Sequence, residues 1–92
     1  MINITDFVLE IDTPTRWPAA RRWLTEHYGT KASIPIDADY TDKVLEPGPQ
    51  KYENRWALIT FSIKQEDGAR HSYFYLDFQN PDDELVFRLK WL

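Results

Sequence analysis

The sequence predicts an α+β fold: an antiparallel sheet built from a C-terminal three-stranded meander plus an N-terminal strand, with one α-helix packed on one face. Three observations carry this. Residues 15–28 place apolar side chains at helical spacing, residues 55–65 and 70–79 alternate with period two, and Asp/Gly/Pro/Asn clusters punctuate the chain between its patterned segments. The expected order is β-α-(β)-β-β-β in a single domain, residues 1–92, a length with room for one hydrophobic core.

The first strand is expected over residues 7–11, where Phe7, Leu9 and Ile11 fall on one side and Val8 and Glu10 on the other, with Pro14 stopping the ladder. Thr15 is a suitable N-cap for the helix, residues 15–28. Trp17, Ala20, Leu24 and Tyr28 line one of its faces, Arg21, Arg22, Thr25 and Glu26 the opposite one, and Gly29 is placed to end it. Residues 32–36 read as a short strand that Pro35 confines to an edge. Residues 37–51 read as a long connection containing Pro47-Gly48-Pro49, which either packs through Tyr40, Val44 and Leu45 or meets a partner.

The meander follows. Residues 55–65 should turn Ala57, Ile59, Phe61 and Ile63 inward, and residues 70–79 should do the same with Phe74, Leu76 and Phe78. Glu66-Asp67-Gly68-Ala69 joins them as a hairpin turn, and Asn80-Pro81-Asp82-Asp83 makes the next turn. Residues 84–92 complete the sheet as a third strand with Leu85, Phe87, Leu89 and Trp91 inward. If Gln65 pairs near Arg70, Ser62 lies opposite Tyr73 and Thr60 opposite Tyr75.

One helix covers one face of such a sheet. The other face then displays Trp56, Tyr73, Tyr75, Arg88 and Lys90, an aromatic and cationic row of the kind enriched at protein interfaces. Cross-strand stabilisation explains the same residues without a partner. The aromatic content, 15% with four Trp, also suits a small core that must be filled efficiently. Asp82, Asp83 and Glu84 form an acidic tip suited to a basic partner.

Composition narrows the function classes. The chain has no cysteine, which excludes disulfides and thiolate metal sites, and its net charge of −4 disfavours a surface devoted to phosphate backbones. No signal-peptide pattern and no membrane-spanning run is visible, so the cytoplasm is the expected location. Asp37, Asp39 and Asp42 resemble the start of a calcium loop, but the required Gly is absent and Gly48 stands where a bidentate Glu belongs. His27 and His71 lack metal-ligand spacing, the three glycines form no phosphate loop, and the serines have no adjacent base. Asp77 and His71 are the residues a small enzyme would use, and an ion pair of Asp77 with Arg88 is the plainer expectation.

The basic group Arg16, Arg21 and Arg22 in the first half of the helix runs against the helix dipole; solvation or an anionic partner group would account for it. The reading with most support is a non-enzymatic, cofactor-free binding or inhibitor module that acts by covering a protein or protein–nucleic-acid partner. Phage-borne inhibitors of bacterial defence systems and immunity proteins are common examples of small acidic domains of this type. The alternative is a single-stranded nucleic-acid-binding sheet in which Tyr73 and Tyr75 stack on bases. A homodimer through the same face is compatible with either.

Overall fold

The computed structural model describes residues 1–39 and 47–92. The elements are β1 (Ile2–Asn3), α1 (Thr5–Val8), α2 (Arg16–Tyr28), β2 (Ala32–Asp39), β3 (Trp56–Lys64), β4 (Arg70–Phe78) and α3 (Pro81–Trp91). The class is α+β as the sequence predicts, but the four-stranded sheet is mixed, in the order β1-β4-β3-β2. β1–β4 and β3–β4 are antiparallel, whereas β2 runs parallel to β3. Three helices are present among the described residues, not one.

The N-terminal strand expected over residues 7–11 is not formed. Asn3 Oδ1 accepts hydrogen bonds from the Thr5 amide (3.0 Å) and the Thr5 hydroxyl (2.7 Å), a local side-chain turn that ends β1 after two residues. One helical turn, α1, follows; it buries Phe7 and leaves Leu9 and Ile11 in solvent. Helix α2 matches its expected span and faces, with Ala20 and Leu24 fully buried. Thr15, however, makes no side-chain capping bond. Gly29 ends the helix at φ 86°, ψ −167°, a conformation available to glycine and strained for other residues.

β2 is an edge strand, in keeping with Pro35, and extends to Asp39, so the first residues of the expected 37–51 loop belong to the sheet. A parallel pair needs a crossover connection, and positions 40–55 separate β2 from β3 in the sequence. The expected packing of Tyr40, Val44 and Leu45 falls on residues outside those described.

The largest correction lies at the C-terminus. Residues 84–92 are not a strand; Pro81–Trp91 is a helix. Asn80 caps it, its side-chain oxygen accepting from the Asp82 amide at 2.9 Å. Pro81 starts it, Asp82, Asp83 and Glu84 occupy the first turn, and Arg88 and Lys90 the last, each the charge that the helix dipole favours there.

The hairpin register is the second correction. Lys64 pairs with Arg70, and the intervening turn is closed by the Gln65 amide to the Ala69 carbonyl (2.7 Å), so Phe61 lies opposite Tyr73 and Ile59 opposite Tyr75. A shift of one residue moves every side chain of one strand to the other face. Trp56 and Leu58 consequently face the helices with Leu76, Phe78 and Phe87. Ile59 and Phe61 pack on the opposite face with Tyr75, Ala38, Ile34 and Ile36 as a second core.

Candidate functional site

The aromatic and cationic row expected on the open face of the sheet is not assembled. Trp56 is fully buried on the helix side, and its indole donates to the Gly29 carbonyl at 2.8 Å. Tyr75 belongs to the second core, with its ring edge-on to Phe61. Tyr73 is half-buried beside it and lines a cavity of about 460 Å³ with Asn3, Thr5, Asp6, Phe7 and Leu92. Arg88 and Lys90 sit in the last turn of α3, not on a strand beside the tyrosines. Arg88 lies 3.7 Å from Glu84, and the Lys90 ammonium rests over the Trp23 and Trp91 rings.

The acidic trio is divided among three roles. Asp83 is buried and takes a two-pronged bond from Arg55, 2.8 and 3.0 Å, which joins the start of β3 to α3. Arg55 also stacks on Tyr28, and its bond to Asp83 raises its pKa above the ordinary arginine value. Glu84 accepts from the Met1 ammonium at 2.9 Å, and that bond, with Arg88 behind it, holds its carboxyl below the usual range against the opposing effect of burial. Asp82 alone of the three forms no ion pair among the described residues.

The expected Asp77–Arg88 pair is replaced by other contacts. Asp77 accepts from the Tyr52 hydroxyl at 3.0 Å and lies 3.6 Å from the Met1 ammonium. Burial first, and the bond to Asp77 second, push the Tyr52 hydroxyl pKa well upward. Asp37 approaches Arg70 at 3.6 Å on the sheet edge, and Asp42 lies outside the described residues. His27 packs on Trp23, with its Nδ1 2.9 Å from the Trp23 carbonyl. No group of three or more His, Cys, Asp or Glu able to hold a metal is found among the described residues, and no described helix is long and apolar enough to cross a membrane.

What the structure does assemble is an outward apolar stripe. Along α3, Asp83, Phe87 and Trp91 point toward the protein at four-residue intervals, which leaves Leu85, Leu89 and Leu92 on the outer side with Val86 beside them. Leu85 is 55% exposed, Leu89 79% and Leu92 56%. The other large exposed apolar side chains among the described residues are Met1, Leu9 and Ile11. Met1 is tied to Glu84 in the first turn of α3. Leu9 and Ile11 flank Glu10, which pairs with Arg16 at 3.6 Å, and Arg16 donates to the Trp91 carbonyl in the last turn.

The charges around this surface are unevenly matched. Arg16, Arg88 and Lys90 are engaged by Glu10, Glu84 and the two indoles. Asp6, Asp12 and Asp82 form no ion pair among the described residues. Alternation hid the stripe in the sequence, because a strand reading turns Leu85 and Leu89 inward. The signal that exposes it is Asn80-Pro81-Asp82-Asp83-Glu84, a helix start with cap, Pro and acidic first turn in sequence. In comparisons with known proteins, no family model, curated protein or solved structure matches the chain.

Proposed function

We propose that this chain is a non-enzymatic binding module that covers a site on a protein partner, in the manner of a small inhibitor or immunity protein, with the outer face of α3 as its contact surface. The supporting observation is the placement of Leu85, Leu89, Leu92 and Val86 on the exposed side of α3 and its C-terminal end. Folding alone does not call for such residues there, and concentrated exposed apolar surface marks interaction sites. Asp6, which lines a cavity with Leu92, and Asp82, in the first turn of α3, form no ion pair among the described residues and favour a partner whose apolar groove or patch is bordered by Lys or Arg. Two copies of this chain facing each other would bring these carboxylates together, which disfavours self-association. The nucleic-acid reading loses its stacking platform, since Tyr75 lies in the second core.

The test compares proteins captured from host lysate by the wild-type chain and by a Leu85→Asp/Leu89→Asp variant of unchanged thermal midpoint. A specific protein retained by the first and lost by the second, with binding weakened when rim-facing Lys or Arg of that protein are neutralised, supports the proposal. Equal retention by both refutes it. A wild-type dimer that the variant converts to a monomer also refutes it, since a second copy then occupies the stripe.

A further inference from the structure

The outer side of α2 presents a different kind of surface. Pro18, Arg21, Arg22 and Thr25, together with Lys31 at the entry to β2, line an open cavity of about 310 Å³. Three of these five residues are cationic, none is acidic, and Arg21, Arg22 and Lys31 form no ion pair among the described residues. Glu26, one turn beyond Arg22 and at favourable spacing for pairing, does not neutralise it. The Thr25 hydroxyl donates to the Arg21 carbonyl at 3.0 Å, so its proton is already engaged within the helix.

The basic group that the sequence shows in this helix therefore has two parts. Arg16, at the first helical position, is accounted for by Glu10 and the Trp91 carbonyl. Arg21 and Arg22 lie beyond the first turn, where the helix dipole exerts little effect, and neither forms an ion pair among the described residues. Three cations around one cavity repel one another, and none of the described residues lining it carries a carboxylate. An anion of two or more charges offsets that repulsion, and guanidinium and ammonium groups are the side-chain donors best suited to phosphate oxygens.

We propose that Arg21, Arg22 and Lys31 form a binding site for a phosphate-bearing small molecule. The cavity falls at the lower end of small-ligand pockets, roughly 300–1,000 Å³, enough for a phosphoryl group and the sugar that carries it. A nucleic-acid strand is the less suitable ligand, because tracking a backbone needs a continuous basic path, whereas Lys51 and Lys64, the other cations with neither an ion pair nor a ring contact among the described residues, lie on different segments of the chain and the net charge is −4. The site is separate from the α3 stripe and stands or falls independently of it.

The experiment titrates inorganic pyrophosphate and a nucleoside diphosphate into the wild-type chain at low salt, by calorimetry or amide-shift mapping, and repeats both with Arg21→Ala/Arg22→Ala and with Lys31→Ala. The expected result is saturable binding of at least one probe with shifts centred on residues 18–25 and 31. The double variant should bind at least tenfold more weakly at an unchanged thermal midpoint, and the Leu85→Asp/Leu89→Asp variant should bind as the wild type does. Absence of saturable binding by both probes, or equal affinity in the double variant, overturns the proposal. So does a single-stranded oligonucleotide that binds more tightly than either probe with a steep salt dependence, because the ligand would then be a polymer.

Discussion

Helices α2 and α3 cover the same face of the sheet and feed the same core, yet they present opposite surfaces to water. α2 turns Ala20 and Leu24 inward and Arg21, Arg22, Thr25 and Glu26 outward. α3 turns Phe87 and the carboxylate of Asp83 inward and leaves Leu85, Leu89 and Leu92 outside. The difference separates what the fold requires from what it leaves free. Burial dictates the inner residues of both helices, but the outer residues answer to other demands, and only in α2 are they the ones that solubility would choose.

The comparison breaks most severely at the buried positions. Phe87 is fully buried against the rings of Phe7 and Phe78, and Phe87→Ala should cost about 3–5 kcal/mol in urea denaturation. Leu24→Ala, its counterpart in α2, should cost about 2–5 kcal/mol. A loss under about 1 kcal/mol at Phe87 would mean that α3 is not seated on the core. The helix starts come next. Asn80→Ala removes a working cap and should cost about 1 kcal/mol, or about 4–8 °C in the midpoint of a domain this small. Thr15→Ala, at the corresponding place in α2 where no capping bond exists, should leave the midpoint nearly unchanged. The smallest effect belongs to the outer stripe: Leu89→Ser should stay within about 0.5 kcal/mol of wild type while improving solubility, and a larger loss would place Leu89 in the packing of the fold.

Much of this architecture is legible in the sequence where one physical demand dominates. Helix α2 is visible because its apolar face repeats over thirteen residues, and β3 and β4 because their alternation is long and bounded by turns. The helix α3 is not, because Leu85, Phe87, Leu89 and Trp91 satisfy a period of two while Asp83, Phe87 and Trp91 satisfy the helical one. Exposed leucines on the outer face of a helix counterfeit a strand pattern. The hairpin register depends on where Gln65 closes on Ala69, a single backbone bond that composition does not encode, and it decides whether Tyr75 is a surface or a core residue. The parallel course of β2 is decided by contacts between residues distant in the chain, which local patterning does not report. The candidate site is hidden for a related reason: a large apolar residue left in solvent violates the burial rule from which sequence reasoning starts.

The edge position of β2 has a kinetic consequence. Its ladder is held from one side, by β3 alone, and its pairing must be re-formed across a connection of more than a dozen residues. Contacts of that separation are slow to close and early to open. Release of β2 would uncover Ile59 and Phe61 while the helix-side core around Trp56 and Phe87 stays intact, giving a partly open species with a sticky underside. Pro35, which has no amide proton to offer a docking strand, stands in the middle of that edge and limits its use as a template for aggregation.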